Sequence, residues 1–369
     1  MVFDVWVEVD LAALRHNLKQ VRGTVGEGTK LMAVVKANGF GHGYVEPSRA
    51  FLEAGADALA VTRLEEALPI RDSGITAPIL LFAPIQIENA EAAVEADLDM
   101  TVTDIALAKA ISTAAQRLGR AARVHVKIDT GMGRLGVLPG SAVVLVKEIA
   151  ALPSVQIAGT YTHFATAAES DLTACRKQLA EFQALAKRAD EAGVALGSLH
   201  AANSAAILRL PESHLDMVRP GTLLYGQYPS QHVPHSLDLR PTWRLRARIC
   251  EIKELDKGSP VGYGGEYTTR HRSRIAIVPV GYADGFTLVP EGPIYRQSVM
   301  KFAGKKIRRA LSAEVRGRKV PVVGRVAMQM TALDVTDVPE ARVGDVVAIP
   351  AMRIPTSALI PRVCVESFS

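Results

Sequence analysis

The chain has 369 residues, of which 48% are hydrophobic and 22% are charged. This length is enough for two domains with substantial cores, and there is no low-complexity tract. No apolar run approaches the roughly 20 residues that a membrane-spanning helix needs, so we expect no membrane partner. The acidic start MVFDVWVEVD and three widely separated cysteines predict a cytoplasmic protein with no metal site.

The formal net charge of +5 is unevenly distributed. Residues 240–320 hold 18 lysines and arginines against 7 aspartates and glutamates, so the rest of the chain is acidic overall. These basic residues are scattered, as in KKIRR, without interleaved aromatic side chains or a known nucleic-acid-binding motif. We therefore predict a solvated basic face and no nucleic-acid partner.

From residue 30 to about residue 226, short apolar runs alternate with longer amphipathic stretches. Such alternation indicates a parallel sheet that is covered on its faces by helices. Eight units in about 200 residues favour a (β/α)8 barrel, and no G-x-G-x-x-G motif follows the first strand to suggest a dinucleotide fold. The predicted strands are 31–36, 57–61, 78–82, 99–103, 123–128, 155–164, 197–203 and 216–221.

The pattern changes after about residue 237. Helical periodicity disappears, and alternating valine, isoleucine and arginine residues separated by glycine, proline and aspartate indicate a mainly β domain. The sequence thus predicts the α/β class, with a TIM-like barrel over residues 1–237 and a mainly β domain over residues 238–369. The opening strand within residues 1–10 fits either domain, and the pattern leaves this choice open.

Lys36 ends the first predicted barrel strand, and a glycine-rich segment follows it. Burial of an ammonium group is costly unless it is paired, and closely spaced glycines indicate backbone that turns tightly or approaches a ligand. In barrels of this kind the carboxyl ends of the strands carry the catalytic residues. Polar residues also stand at the ends of the fifth to eighth strands: Lys127, Asp129, Arg134, His163, His200, Asn203, Ser204, Arg219 and Gly221.

These positions predict a site for a phosphorylated or carboxylated ligand on one rim of the barrel. Ser204 and Gly221 offer backbone N–H groups to a phosphate, and Arg134 and Arg219 can each hold an anion or a ring nitrogen. A lysine whose pKa is lowered by desolvation and neighbouring cations can form a Schiff base. Pyridoxal phosphate is the cofactor that suits such a lysine beside a phosphate site.

Several segments, taken in order, resemble the alanine racemase family, the fold-type III enzymes that use pyridoxal phosphate. They are AVVKANGFGHG, KIDTGMGRLG, YTHFATA, HAANSAA and MVRPG, followed by VGYGGEYT, PVGYADG and VVGRVAM in the β half. The resemblance runs nearly from end to end. It implies a racemase for alanine, a homodimer with shared active sites, and a supply of D-alanine for peptidoglycan.

The resemblance also implies roles for individual residues. Lys36 would carry the cofactor covalently and act as acid or base on one face of the substrate Cα. Tyr263 of the second subunit would act on the opposite face, since inversion needs an acid and a base on opposite sides. Arg219 would face the pyridine nitrogen, and His163 would lie near the cofactor ring and link to Arg219.

The remaining roles concern the two ends of the cofactor. Lys127 matches a position that is often carbamylated, and the resulting anion would orient Arg134. Arg134 would also bond the cofactor's phenolic oxygen. The phosphate end would be lined by Phe40, Asn203, Ser204, Gly221 and Thr222, and the substrate carboxylate by Arg134, Tyr282 and Met328.

Three positions depart from the family pattern. Phe40 stands in place of a tyrosine whose hydroxyl reaches the phosphate, which predicts weaker cofactor binding. Gln329 replaces an acidic residue, and Leu359 or Ile360 stands about where the family has a C-terminal tyrosine. The last two changes leave open a racemase for serine or for a broader set of amino acids. A non-racemising protein that binds pyridoxal phosphate is a further alternative, although such proteins are single barrels without a β domain.

Overall fold

The computed structural model describes residues 2–288 and 311–368, so the basic segment KKIRR at 305–309 lies outside the described residues. The chain divides into two units. One comprises Leu11–Thr242, and the other comprises the residues up to Asp10 together with those from Trp243 onward. The boundary between the two units thus falls after Thr242, whereas the sequence pattern predicts a domain boundary after residue 237. The first strand, β1 (Val5–Asp10), belongs to the second unit.

The first unit contains a closed barrel of eight parallel strands, which confirms the predicted barrel. Each predicted apolar run forms one strand, and most of the strand residues are buried. Several strands end earlier than predicted, because pairing with the neighbouring strands stops before the loops of the rim begin. The barrel strands are β2 Lys30–Val34, β3 Ala58–Val61, β4 Ile79–Leu81, β5 Asp99–Val102, β6 Ala122–Lys127, β7 Val155–Tyr161, β8 Ser198–Asn203 and β9 Met217–Arg219.

Helices alternate with these strands and bury one face each. In the longest of them the predicted stripe is buried at Cys175, Leu179, Phe182, Leu185 and Ala189, which repeat at helical spacing. None of the described helices is long and apolar enough to cross a membrane. The helices are α1 Leu11–Arg22, α2 Val45–Glu53, α3 Leu64–Asp72, α4 Ala90–Glu95, α5 Ile105–Arg117, α6 Pro139–Ala150, α7 Thr173–Glu191 and α8 Ser204–Arg209.

The second unit is mainly β, as predicted. Its described residues form a sheet of nine strands and a separate pair, β12 with β13. In the sheet, β1 pairs antiparallel with β10 on one side and parallel with β19 on the other, so the sheet incorporates the opening strand. The strands are β10 Trp243–Arg248, β11 Glu251–Leu255, β12 Pro260–Val261, β13 Tyr267–Thr268, β14 Ser273–Val278, β15 Ser312–Val315, β16 Arg318–Val323, β17 Thr331–Asp334, β18 Val346–Ile349 and β19 Arg362–Val365.

Candidate active site

Shortly after β2, residues 37–40 within the segment Lys36–Gly41 form a turn of left-handed helix. Ala37, Asn38, Gly39 and Phe40 have φ angles of 53°, 56°, 57° and 52°. Asparagine and glycine adopt this conformation readily, whereas alanine and phenylalanine do so at a cost of about 1–2 kcal/mol each. Other contacts must therefore hold the backbone beside Lys36 in place.

Glu66, in the first turn of α3, supplies such contacts. Its Oε1 accepts hydrogen bonds from the Ala37 N–H at 2.8 Å and the Tyr44 hydroxyl at 3.3 Å. Its Oε2 accepts from the N–H groups of Thr62 at 2.7 Å and Arg63 at 3.2 Å. Sequence reasoning missed Glu66, because a glutamate in the first turn of a helix has an ordinary capping role and its contact with Ala37 is long-range.

A cavity of about 520 Å³ opens at the carboxyl ends of the barrel strands. Four cationic side chains line it, and no aspartate or glutamate of the described chain does. The structure thus brings together ten residues, namely all those of the barrel unit to which the resemblance assigns a role. They are Lys36, Phe40, Lys127, Arg134, His163, Asn203, Ser204, Arg219, Gly221 and Thr222.

The concentration of positive charge alters the titration of the groups inside the cavity. Burial, reinforced by Arg134, lowers the pKa of Lys36. Burial and the neighbouring cations, Arg219 first among them, lower the pKa of His163 to about 2, so this imidazole is neutral at physiological pH. The cavity therefore favours a neutral amine on Lys36 and disfavours any further cation.

Lys127 is the most desolvated of the cavity amines. Its Nζ is buried and has no hydrogen-bond partner among the described residues. It lies 4.5 Å from the centre of the Tyr161 ring. Burial, followed by the charges of Arg219 and Arg134, lowers the pKa of this amine well below its usual value. Such an environment favours the uncharged amine, which is the form that reacts with electrophiles.

Arg134 is carried by a loop that Asp129 organises. Oδ1 of Asp129 accepts the N–H groups of Gly131 at 3.0 Å, Met132 at 2.8 Å and Gly133 at 3.1 Å, and Oδ2 accepts that of Arg134 at 3.2 Å. The carboxylate is thus engaged by backbone rather than by the Arg134 side chain. Its role in the described structure is to shape the loop that presents the guanidinium.

The predicted phosphate end is tightly constrained. The Ser204 Oγ accepts the Gly221 N–H at 2.8 Å, and the Asn203 Oδ1 accepts the N–H groups of Ala205 and Ala206, each at 3.1 Å. A Cβ atom added at Gly221 would lie 3.0 Å from Cζ of Phe40. The Gly221 N–H, which the sequence analysis offers to a phosphate, therefore already has a partner in Ser204.

Arg219 is buried and makes its contacts on the interior side of the barrel. Its Nη1 donates to Nδ1 of His200 at 2.8 Å, and its Nη2 donates to the carbonyl oxygens of Thr162 at 2.7 Å and Ala201 at 3.0 Å. Among the hydrogen bonds described for Arg219, the histidine partner is His200, and the expected link from Arg219 to His163 stays a prediction. His200 was predicted at the rim without a role, although a histidine within an apolar barrel strand is a signal for a buried polar contact.

Three further predicted residues belong to the second unit. Tyr263 lies between Gly262 and Gly264, whose φ angles of 75° and 71° favour glycine, and its side chain is 71% exposed. Tyr282 and Met328 lie on adjacent segments, since the Ala283 N–H donates to the Met328 carbonyl at 3.0 Å. Both are also exposed. These side chains are available to a binding partner or ligand in a way that the buried barrel residues are not.

A closed barrel with basic side chains around a cavity at the carboxyl ends of its strands is typical of an enzyme that acts on a small anionic ligand. Comparison with known families identifies the family within this class of enzymes. The family model for the alanine racemase N-terminal domain matches residues 9–229, and that for the C-terminal domain matches residues 242–359. The chain belongs to the alanine racemase family, and it is therefore an isomerase, as the resemblance implies.

Individual relatives agree with the family models. Alanine racemase from Methanococcus maripaludis is 41% identical over 347 residues, which cover 94% of this chain and 88% of the relative. Alanine racemase from Desulfovibrio desulfuricans is 40% identical over 345 residues, with the same two coverages.

Solved structures match over almost the whole chain. Alanine racemase from Clostridium difficile 630 has a TM-score of 0.90 at 33% identity and covers 99% of this chain and 96% of its own. Alanine racemase from Bacillus anthracis, solved with bound L-Ala-P, has a TM-score of 0.83 at 30% identity with the same coverages.

Proposed function

We propose that this protein interconverts L- and D-alanine with pyridoxal phosphate as its cofactor. The observation that carries the proposal is the cavity, in which two guanidinium groups and two lysine amines, and no carboxylate of the described residues, surround space for an anionic ligand. A phosphate and a substrate carboxylate together supply the missing negative charge. The Bacillus anthracis relative with bound L-Ala-P, and a Clostridium difficile relative solved with cycloserine, support a small amino-acid-like ligand.

The residues present fit this cofactor. The amine of Lys36 lines the cavity with a lowered pKa, as a lysine that bonds an aldehyde carbon requires. Gly221, in contact distance of Phe40, leaves no room for a side chain where the phosphate end is proposed. We assign the phosphate to Ser204, Thr222 and the neighbouring backbone. When bound, the cofactor supplies the electron withdrawal that weakens the Cα–H bond of an amino acid.

Inversion at Cα needs one group to remove a proton and another to deliver one on the opposite face. We assign the first face to Lys36, because burial and the charge of Arg134 lower the pKa of its amine and so favour the neutral form. We assign the opposite face to the phenol of Tyr263, contributed by the partner subunit of a homodimer. The exposure of Tyr263 within its own unit supports this assignment, because its hydroxyl is free to complete a site elsewhere.

We assign Arg219 and Arg134 to binding the cofactor and the substrate, and neither guanidinium transfers a proton in this assignment. Burial lowers the pKa of Arg219 to about 10, so its guanidinium remains charged at physiological pH. We assign it to the ring nitrogen, which it leaves unprotonated, and this restrains side reactions at Cα. Arg134, on the loop shaped by Asp129, is assigned to the phenolic oxygen and to the substrate carboxylate with Tyr282 and Met328.

We propose that Lys127 reacts with carbon dioxide. The neutral amine adds to the carbon atom, an N–C bond forms while one C=O π bond opens onto oxygen, and one proton leaves the nitrogen for solvent, so that a carbamate anion replaces the neutral amine. Three features support this: the Nζ is buried, it has no hydrogen-bond partner among the described residues, and its pKa is well below the usual value. The anion would pair with Arg134 or Arg219. The cytoplasmic setting remains a prediction from composition and cysteine content, and the use of D-alanine for peptidoglycan remains a prediction of the resemblance.

The deciding experiment is a racemisation assay with L-alanine and L-serine side by side, with the visible spectrum of bound cofactor recorded. We expect alanine to be the better substrate. We expect Tyr263→Phe to lose at least about 100-fold in kcat while the cofactor absorbance is retained, because the phenol is an acid–base group and not a cofactor ligand. Tyr267→Phe, the same change four residues along the chain, is the matched control and should stay near wild type.

Other outcomes separate the alternatives. A preference for serine would assign the changes at Gln329 and Leu359 to substrate specificity. Cofactor absorbance without racemisation of either amino acid would favour a protein that only binds pyridoxal phosphate. Absence of the absorbance would refute the assignment of Lys36.

A further inference from the structure

A chain of hydrogen bonds runs through the barrel interior behind Arg219. The Arg219 Nη1 lies 2.8 Å from Nδ1 of His200, and Nε2 of His200 lies 2.9 Å from Nδ1 of His125. Nε2 of His125 lies 3.3 Å from Oδ2 of Asp99, and Oδ1 of Asp99 accepts from Nε of Arg123 at 2.6 Å. Except for Arg123, every member of this chain is buried.

The two ends of the chain dictate the same direction for every bond. A guanidinium only donates, so Nδ1 of His200 must accept and its proton must sit on Nε2. Nδ1 of His125 must then accept from His200, and its proton sits on Nε2. A carboxylate only accepts, and Asp99 receives that last proton. Both imidazoles are therefore neutral, and each carries its hydrogen on Nε2.

The surrounding backbone accommodates this chain. The pairing of β6 with β7 shifts register between Val124 and His125, and a bulge of this kind re-aims a side chain. Opposite His125, β7 carries Gly159, where an added Cβ atom would lie 2.6 Å from Nδ1 of His125. The ring of Tyr161 stacks on that of His200 at 4.8 Å between centres, with 7° between the planes. The two imidazoles are thus held in fixed places and planes.

The charge distribution has a functional consequence for the guanidinium. Each neutral imidazole turns its unprotonated nitrogen, the negative end of its dipole, toward Arg219 and its N–H toward Asp99. Hydrogen bonds in such a chain polarise one another in a low-dielectric interior. The carboxylate of Asp99 therefore supports a cation that it does not touch, and Arg123 holds the carboxylate in position.

We propose that Asp99, His125 and His200 are positioning residues that hold Arg219 charged and correctly oriented toward the active-site cavity. The inference rests on the proposed function for what Arg219 does, but the hydrogen-bond chain itself does not depend on it. Burying four polar groups in a barrel interior is costly unless every one is satisfied. Here every member of the network has a partner, and the network ends at Arg219, whose buried side chain lines the cavity.

The variant Asp99→Asn should exchange donor and acceptor in the hydrogen bonds that link residue 99, His125 and His200. The contact of Asp99 with the charged Arg123 is the shorter one, at 2.6 Å against 3.3 Å to His125, so we expect the amide oxygen to face Arg123 and the amide NH₂ to face His125. His125 must then accept on Nε2 and carry its proton on Nδ1, and His200 must do the same. An Nδ1–H on His200 faces an N–H of Arg219, so two donors meet and the bond that orients Arg219 is lost.

The matched control is Asp97→Asn. Asp97 also pairs with Arg123, with its Oδ1 3.2 Å from Nη1, but it is exposed and has no contact with His125. Its backbone φ of 50° is one that asparagine tolerates well. This variant therefore weakens the same arginine without changing the direction of the chain.

The first measurement is the tautomer of the two histidines, read by NMR in protein labelled with 15N-histidine, before and after addition of pyridoxal phosphate. His125→Gln and His200→Gln assign the signals. In wild type and in Asp97→Asn we expect both residues to be neutral with the proton on Nε2. In Asp99→Asn we expect the proton on Nδ1 of both. A doubly protonated His125, or an Nδ1–H on either histidine in wild type, would overturn the proposal even if no variant folds.

The second measurement is racemisation kinetics. We expect Asp99→Asn to lose on the order of 10-fold in kcat with little change in KM for alanine, because misorientation of a charged group acts mainly on the reacting complex. Asp97→Asn should match wild type. Equal kcat in the two variants would refute the positioning role. If wild type racemises neither alanine nor serine, the proposed function fails, whereas the tautomers still decide whether the chain exists.

Discussion

Single residues in the cavity owe their chemistry to burial and to the neighbouring guanidinium groups. Lys127 is the clearest case, since its amine is buried near two guanidinium groups and lies 4.5 Å from the centre of the Tyr161 ring. A protonated Lys127 would gain from the aromatic ring but would repel Arg219 and Arg134. A carbamate removes both repulsions.

We predict that 13C-labelled bicarbonate gives the wild-type protein a carbamate carbon resonance that Lys127→Met lacks. The reason is that a buried neutral amine is the reactive form, and the product anion is stabilised by the adjacent arginines. Lys127→Ala should lose activity and regain part of it when acetate is added, because acetate restores the negative charge. A spectrum without any Lys127-dependent signal at saturating bicarbonate would contradict the prediction.

At the scale of elements, the site depends on the support that helix α3 gives to the turn that follows β2. The left-handed turn after β2 is strained at Ala37 and Phe40, and the first turn of α3 holds it through Glu66. Both carboxylate oxygens are used, and together they accept from four donors. The position of Lys36 therefore depends on a helix nearly thirty residues further along the chain.

We predict that Glu66→Gln lowers the free energy of unfolding by about 1–3 kcal/mol, because an amide NH₂ must replace one acceptor oxygen and meet an N–H group. Urea unfolding of the protein without cofactor measures this. Glu65→Gln is the control, since Glu65 is its exposed neighbour in the same helical turn, and it should change stability by less than about 0.5 kcal/mol. The same loss in both variants would mean that Glu66 does not support the turn.

At the scale of the whole molecule, the proposed mechanism draws residues from two copies of the chain. Lys36 belongs to the barrel unit and Tyr263 to the other unit. If each site combines Lys36 of one subunit with the partner's Tyr263, then two inactive variants can complement each other. The Lys36→Ala and Tyr263→Phe chains provide this test.

We predict that the two variants, each inactive alone, regain about a quarter of wild-type activity when mixed in equal amounts, dissociated and reassembled. Random pairing makes half of the dimers mixed, and a mixed dimer has one site with both native residues. Each variant reassembled with itself is the control. No recovery, with mixed dimers demonstrated by differential tagging, would place both residues of a site in one subunit.

Local patterns predicted most of the fold. The eight barrel strands follow from apolar runs alternating with amphipathic helices, because period and burial are properties of short segments. The ends of the strands were predicted less accurately. The strand at 155–164 was predicted to extend past His163, whereas β7 ends at Tyr161. Where a strand ends depends on its neighbours in the sheet, which no single segment contains.

The candidate site was predicted in part. Which of its residues were predicted and which were missed has a clear physical reason. Lys36, Arg134 and Ser204 stand at the carboxyl ends of predicted strands, so the barrel topology alone brings them to one rim. Glu66 and the bond between Arg219 and His200 were missed, because they join segments far apart in sequence through contacts specific to the packing.

The sequence by itself determined the barrel, the mainly β second unit and the residues gathered around the cavity, since periodicity and motif are read along the chain. Only the tertiary structure decided that β1 pairs within the second unit, and that two histidines and Asp99 stand in line behind Arg219. Hydrogen-bond direction and desolvation depend on which groups meet in three dimensions, so they become visible only once the barrel has closed.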